Sequence, residues 1–136
     1  MKKQFLALSL LICLVFTACA NDVTGGVWEN ATVTENASYG TGATTIEVEV
    51  KAEDKAVTLT IKTDKATLGD ALKEHSLIEG DEGEFGIYVK KVIGITADYD
   101  VDKSYWSFTK NGEMLMTGVD GVEISNGEHY EITYTK

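Results

Sequence analysis

The chain has 136 residues and a formal net charge of −10, with 22 acidic and 12 basic residues and no arginine. Nucleic-acid affinity comes largely from cationic side chains that neutralise phosphates, so this balance argues against a nucleic-acid partner and against electrostatic docking to a membrane. The length predicts one folded domain and an additional segment.

The additional segment lies at the N-terminus. Lys2-Lys3 precede an apolar run from Phe5 to Phe16, and Thr17-Ala18-Cys19 follow it. This order is typical of a secretory signal, and the run is shorter than the ~20 residues that a membrane-spanning helix needs. The Ala-Cys ending resembles a bacterial lipoprotein signal. The resemblance implies that residues 1–18 are removed and that Cys19 is acylated, anchoring an extracytoplasmic protein to the cell membrane; plain secretion is the alternative.

Residues 19–43 are rich in Gly, Thr, Asn and Ser, which predicts a flexible tether after the acylated cysteine. Trp28 is a candidate for docking onto the domain. Residues 44–136 form the predicted domain. It starts with two alternating strands, one with Ile46, Val48 and Val50 on the inner face and one with Val57, Leu59 and Ile61, which together predict a β-hairpin.

A short helix follows the hairpin. Thr67 and Asp70 have the spacing of a capping box, and Leu68, Ala71 and Leu72 give the helix an apolar face as far as His75. We expect Leu72 to face the sheet.

The remaining elements are mostly strands. We predict an acidic loop from Ser76 to Phe85, a third strand from Gly86 to Ile95, and a loop from Asp98 to Lys103. A hairpin turns at Asn111-Gly112, a second Asn-Gly turn comes at Asn126, and Tyr130, Ile132 and Tyr134 alternate along a last strand. This order predicts an α+β, β-grasp-like fold, a mixed sheet with one helix packed across it.

The hairpin around Asn111-Gly112 carries the strongest functional signal. Trp106 and Phe108 share one face of its first strand, and Met114-Leu115-Met116 is apolar on both faces of its second strand. Only one face is needed for the core, so the other is available to a partner or ligand. Ordinary core packing is the alternative interpretation for these side chains.

A resemblance extends this interpretation over residues 44–136. The sequence resembles a bacterial surface lipoprotein domain family of unassigned function, which is similar to the C-terminal β-domain of transcobalamin and intrinsic factor. The motifs that carry it are Thr67-Leu-Gly-Asp-Ala-Leu, Leu77-Ile-Glu-Gly, Glu84-Phe-Gly-Ile-Tyr-Val, Gly94-Ile-Thr-Ala-Asp, Tyr105-Trp-Ser-Phe, Asn111-Gly-Glu, Met116-Thr-Gly-Val and Asn126-Gly-Glu.

The resemblance implies a surface that closes over cobalamin, formed by Tyr105–Phe108 and Leu115–Val119. In the transcobalamin group a helical domain covers the opposite side, and this sequence shows no counterpart, so we expect weak affinity. The ligand-binding residues that we predict are Tyr105, Trp106, Leu115, Met116, Thr117, Gly118 and Val119.

Metal binding and catalysis have weaker support in the sequence. Asp98, Asp100 and Asp102 have the alternate spacing that opens a calcium loop, but Lys103 and Thr109 replace the required Gly and Glu, so a solvated acidic loop is favoured. The two histidines, His75 and His129, have no partners at zinc spacing. No nucleophile, base and oxyanion set occurs together. We therefore expect no catalysis, no metal and no cofactor except cobalamin as a possible ligand.

The sequence is compatible with two functions. The first is a membrane-anchored extracytoplasmic module that captures a small ligand, such as cobalamin or a related corrinoid, and passes it to a transporter or a helical partner domain. The alternative is a structural or protein-interaction module of the cell surface that docks a partner domain through the same hairpin.

Overall fold

The computed structural model describes residues 26–136, so the predicted signal peptide at 1–18 and the lipidated Cys19 lie outside the described residues. The strands are β1 (Ala37–Tyr39), β2 (Thr44–Ala52), β3 (Lys55–Thr63), β4 (Ile78–Gly83), β5 (Gly86–Val92), β6 (Ile95–Thr96), β7 (Tyr105–Lys110), β8 (Glu113–Met114) and β9 (His129–Thr135). The helices are α1 (Leu68–Glu74), α2 (Tyr99–Asp102) and two short 3₁₀ helices, Val27–Asn30 and Val119–Gly121.

Two sheets form the framework. The larger one has the order β1-β3-β2-β9-β7-β8, and the smaller one has the order β4-β5-β6. β2 pairs antiparallel with β3 and parallel with β9, and β7 pairs antiparallel with β9. The described chain is therefore a mixed α+β protein in which sheet predominates, as the sequence predicted.

The first hairpin and the helix follow their sequence patterns. Inward-facing residues of β2 and β3 are buried, and Leu68, Ala71 and Leu72 of α1 lie in the same core. The Oγ1 atom of Thr67 accepts a hydrogen bond from the Asp70 N–H at 3.2 Å, as in the predicted cap. The apolar face of α1 thus packs inward, and the predicted burial of Leu72 is confirmed.

The predicted acidic loop at Ser76–Phe85 is wrong, because residues 78–83 form β4 and pair with β5. β4 buries only Ile78, so its acidic sequence lacks the apolar alternation by which strands are recognised. A Cβ on Gly80 would lie 1.9 Å from the carbonyl oxygen of Tyr88, which shows how closely the two backbones approach. Pairing, not side-chain burial, defines this strand.

Two other segments also differ from their predictions. The expected third strand from Gly86 to Ile95 is interrupted by a turn with positive φ at Ile93 and Gly94, which separates β5 from β6. The expected loop from Asp98 to Lys103 contains α2, and the Asp98 side chain caps it by accepting a hydrogen bond from the Asp100 N–H. Short elements of this kind depend on local hydrogen bonds that apolar periodicity does not report.

The described part of the predicted tether, residues 26–43, contacts the domain. The indole N–H of Trp28 donates to the Ala52 carbonyl at 2.9 Å, Thr32 N–H donates to the Ile93 carbonyl at 2.7 Å, and β1 pairs parallel with β3. Small polar residues can pair through the backbone along an open strand edge without an apolar pattern. Trp28, which the sequence offered only as a candidate for docking, therefore contacts the domain as part of a longer segment.

Candidate functional site

The β7–β8 hairpin is the element on which the site is built. Asn111 and Gly112 have φ values of 51° and 86°, and Lys110 pairs with Glu113, which gives the two-residue turn that the sequence predicted. β8 ends at Met114, and both of its residues are exposed. The expected strand through Leu115 and Met116 is therefore not formed, and the chain turns away after Leu115 N–H donates to the Phe108 carbonyl at 3.1 Å.

A groove opens between β5, β7 and the segment that follows β8. Its cavity volume is about 260 Å³. We call this cavity the groove, and its lining residues are Ile87, Tyr88, Val89, Tyr105, Trp106, Ser107, Phe108, Met114, Leu115, Thr117, Gly118 and Val119. The lining is mainly aromatic and aliphatic, which is typical of sites for small organic molecules.

The groove collects six of the seven predicted ligand-binding residues, namely Tyr105, Trp106, Leu115, Thr117, Gly118 and Val119. Met116 is the exception. Its side chain is 92% exposed and borders a different depression, beside Lys110 and Glu113. The reason is that β8 has already ended, so the strand alternation that was assumed for Met116 does not apply.

The sequence pattern did not indicate the wall that β5 contributes to the groove, formed by Ile87, Tyr88 and Val89. These residues were assigned to a strand, but nothing in the linear sequence places that strand beside β7, about 17 residues further along. The resemblance motif Glu84-Phe-Gly-Ile-Tyr-Val marked the same stretch and was the one available signal.

Trp106 forms the buried side of the groove. It is 6% exposed, and its ring packs edge-on against Tyr134 with the ring centroids 5.6 Å apart. Its indole nitrogen is buried and finds no hydrogen-bond acceptor within the described part of the chain. Buried donors are nearly always paired, so this N–H is an unusual feature of the site.

Large apolar side chains surround the opening of the groove. Tyr88, Tyr105 and Met114 line it and are themselves partly exposed. Phe85, at the tip of the β4–β5 hairpin, is 87% exposed, and its carbonyl oxygen lies near Gly118. We call Phe85, Tyr88, Tyr105, Met114 and Met116 the apolar rim. Several large exposed apolar side chains in one region of the surface are typical of a binding surface.

Asp120 fixes the segment that closes the groove. Its carboxylate accepts a hydrogen bond from Ile87 N–H at 2.9 Å and contacts the Nζ atom of Lys73 on α1. Burial alone would raise the pKa of Asp120, but the hydrogen bonds from Lys73 and Ile87 outweigh it and lower the pKa. Asp120 is therefore a fixed anion that joins α1, β5 and residues 117–120.

Glu131 fixes the tip of the same hairpin. It is 8% exposed and accepts hydrogen bonds from Thr109 Oγ1 at 2.5 Å and from Gly112 N–H at 2.9 Å. Burial opposes ionisation, yet these bonds and the nearby His129 lower the pKa of Glu131. A charged glutamate beneath the Asn111-Gly112 turn thus holds the hairpin in its observed geometry.

The described residues do not provide a metal centre. Between residues 26 and 136, no group of three or more His, Cys, Asp or Glu side chains has an arrangement that would hold a metal ion. In the acidic loop, Asp98 accepts from Asp100 N–H at 3.0 Å and Asp102 accepts from Ser104 N–H at 3.1 Å. These carboxylates serve local turns, so the calcium alternative has no support here.

The fold and the groove define a small α+β domain with an open apolar site. Residues 65–136, more than half of the chain, match the domain of unknown function (DUF4430), and the chain belongs to this family. No curated protein matches it. None of the helices between residues 26 and 136 has the length and apolar character that a membrane span requires.

The solved structures that are similar to this chain include a Ruminococcus gnavus protein and haptocorrin. A Ruminococcus gnavus ATCC 29149 protein, solved at 1.30 Å and named provisionally as metal binding, is 32% identical, with a TM-score of 0.65 over 69% of this chain and 98% of its own. Haptocorrin in complex with Cbi is 20% identical, with a TM-score of 0.56 over 72% of this chain. The match spans 26% of the haptocorrin chain, so it supports the fold alone.

Proposed function

We propose that this protein is a membrane-anchored extracytoplasmic module that binds a small, mainly apolar ligand in the groove, with cobalamin or a related corrinoid as the favoured ligand. The observation that carries the proposal is the groove of about 260 Å³, lined by aromatic and aliphatic side chains and surrounded by the apolar rim. Sites for small organic molecules combine such a lining with a few polar groups.

The choice of a corrinoid is supported by the arrangement of the sheet. The β2–β3 hairpin, α1 and the parallel pairing of β9 with β2 follow a β-grasp-like order. The structural neighbour haptocorrin binds a corrinoid, cobinamide, and shares this fold. A corrin is large and flat, and its ring offers a broad apolar face that suits Trp106 and the apolar rim.

The cellular role rests on the N-terminal sequence. Acylation at Cys19 would hold the domain at the outer face of the cell membrane, where it would capture the ligand and pass it to a transporter or a helical partner domain. No catalytic role is proposed, because the groove lining contains no histidine, cysteine, lysine or acid. Binding without chemistry is the function that such a lining supports.

We expect the affinity to be modest. The groove, at about 260 Å³, is slightly smaller than the volumes typical of ligand pockets, about 300–1,000 Å³, and it would cover only one side of a large macrocycle. We therefore expect a dissociation constant in the micromolar range, which corresponds to a binding free energy of about −8 kcal/mol.

The test is a fluorescence titration of the purified protein with cobalamin, cobinamide and haem. Trp28→Phe leaves Trp106 as the single tryptophan and therefore as the reporter of the groove. Saturable quenching, corrected for ligand absorbance, at micromolar concentrations of a corrinoid is expected. If none of the three ligands saturates up to its solubility limit, the small-ligand function is rejected.

The second candidate is docking of a partner domain on the same surface. The observation that favours it is the projection of Phe85 and Met116 into solvent, 87% and 92% exposed, outside the lining of the groove. Side chains that project this far contact a second protein more readily than a ligand inside the groove.

A further inference from the structure

Trp106 lines the groove, and its indole N–H has no hydrogen-bond partner in the described part of the chain. Its indole nitrogen is buried and has no acceptor in the described chain. The other tryptophan, Trp28, is different, because its indole N–H donates to the Ala52 carbonyl at 2.9 Å. One tryptophan is therefore satisfied by the fold and the other is not.

The backbone of Trp106 also lacks a strand partner on one edge. Phe108 directs its carbonyl oxygen away from β9, toward Leu115 N–H. Alternate residues of a strand turn their backbone groups to the same edge, so the N–H and C=O of Trp106 also point away from β9. β8 pairs only with Thr109 and Lys110 of β7, so within residues 26–136 no strand pairs with Trp106 on that edge.

The unpaired groups of Trp106 determine which ligand groups can form hydrogen bonds with it. An indole N–H and a backbone N–H need acceptors, and a backbone carbonyl needs a donor. A carboxamide offers both, an ester offers only acceptors, and a carboxylate offers only acceptors together with a negative charge. The chain has a formal net charge of −10, which disfavours an anionic ligand.

We propose that Trp106 selects ligands whose edge carries carboxamide groups, with the indole N–H donating to an amide oxygen and the backbone edge of Trp106 pairing with an amide. This inference rests on the proposed function and specifies the chemistry of the same groove. It assigns Trp106 a selective role in addition to its packing against Tyr134.

The indole nitrogen is buried, so a ligand reaches it only after a local rearrangement of the groove lining. Met114 lines the groove and is 63% exposed, so it has room to change its rotamer. Methionine has three rotatable bonds and a flexible thioether, which makes such a change easy. Met114 is the most exposed large apolar side chain of the lining, so we expect it to move when a ligand enters while the β7–β9 pairing is kept.

The proposal is tested with three corrinoids that share the same macrocycle and differ in the substituents at its edge. They are dicyanocobinamide, which carries amides, the heptamethyl ester of dicyanocobyrinic acid, and dicyanocobyrinic acid itself, which carries carboxylates. The protein has two tryptophans, hence two indole N–H resonances in a ¹⁵N–¹H spectrum, and Trp28→Phe assigns them. The shared macrocycle keeps the ring-current contribution similar across the series.

We expect the affinity to fall in the order amide, ester, carboxylate. Dicyanocobinamide should move the Trp106 indole proton downfield and leave the Trp28 proton in place. Trp106→Phe should weaken dicyanocobinamide binding by about tenfold, the loss of one hydrogen bond, whereas Trp28→Phe should change it by less than about twofold. Thermal melting of both variants shows whether they remain folded, and the resonance shift needs no variant at position 106.

The outcomes separate the two claims. The selectivity is overturned if a corrinoid binds saturably without shifting the Trp106 indole resonance. It is also overturned if dicyanocobyrinic acid binds as tightly as dicyanocobinamide. In both cases the proposed function still stands. Absence of saturable binding by any of the three corrinoids overturns both.

Discussion

The Nζ atom of Lys73 lies 3.0 Å and 3.1 Å from the two carboxylate oxygens of Asp120, and this ion pair joins α1 to the segment that closes the groove. The same carboxylate accepts the N–H of Ile87, which belongs to the opposite wall. Two walls of the groove and the helix therefore meet at one half-buried side chain. The geometry of the candidate site depends on a residue that does not line it.

Replacement of Asp120 tests this dependence. Asp120→Ala removes the acceptor of Ile87 N–H and leaves Lys73 without its principal partner. Loss of one partner from a buried polar group costs about 1–3 kcal/mol, so the free energy of unfolding should fall by that amount. Urea denaturation measures the change. The control is Glu79→Ala, which breaks the exposed 3.9 Å contact with Lys91 and should cost less than about 0.5 kcal/mol.

Gly69 tests the same contact from the helix side. A Cβ at Gly69 would lie 2.1 Å from Oδ1 of Asp120. In an open helix position alanine stabilises by about 1 kcal/mol relative to glycine, whereas here we expect Gly69→Ala to destabilise because the carboxylate must move. The double variant Gly69→Ala/Asp120→Ala should be more stable than the sum of the single changes predicts, as measured by urea denaturation. Additive effects would contradict the clash.

Low pH should reduce the stability of the folded protein, because the carboxylates of Asp120 and Glu131 become protonated. Asp120 and Glu131 have folded-state pKa values below their ordinary values of 3.8 and 4.5, so their contribution to stability is present above those values and is lost as the pH falls through the folded-state pKa. The free energy of unfolding should decline below about pH 4.5. Asp120→Asn should flatten this decline in urea titrations between pH 2 and 6. An unchanged slope would assign the acid sensitivity to other carboxylates.

The sequence was most informative where one side chain or one turn determines the structure. Thr67 and Asp70 predicted the cap of α1, and Asn111-Gly112 predicted the hairpin turn, because both depend on residues within four positions. β4 was not predicted, because only one of its six residues has a buried side chain and the strand is recognised by its backbone pairing with β5. Backbone pairing leaves little trace in apolar periodicity.

The candidate site was predictable only in part for a related reason. The β7 strand and Leu115–Val119 were identified as a surface, but the wall from β5 arises when two separate sheets meet. Met116 was assigned to the surface by assuming that β8 continued, whereas β8 stops after two residues. Contacts between distant segments and the ends of short strands are set by tertiary packing, which a local pattern does not encode.

Lipidation of Cys19 stays a prediction from the N-terminal sequence. Cys19→Ala should move the protein from the membrane fraction to the soluble fraction, because each buried lipid CH₂ contributes about 0.8 kcal/mol to membrane binding and the variant has no acyl chains. Fractionation after a salt wash, with immunodetection, is the measurement. Cys13→Ala, within the apolar run, is the matched control and should leave the protein at the membrane. Membrane retention of the Cys19→Ala variant would contradict the lipid anchor.

Leu115 and Met116 distinguish a ligand in the groove from a partner domain on the apolar rim. Leu115 is partly buried and lines the groove, whereas Met116 is 92% exposed and lies outside it. If a small ligand fills the groove, Leu115→Ala should weaken corrinoid binding by roughly tenfold, since a lost buried aliphatic group is worth about 1–3 kcal/mol, and Met116→Ala should have little effect. The two variants are compared in the same titration, with melting temperatures recorded. A larger effect of Met116→Ala than of Leu115→Ala would contradict binding inside the groove. Docking of a partner would then be the better account, because the exposed rim would carry the affinity.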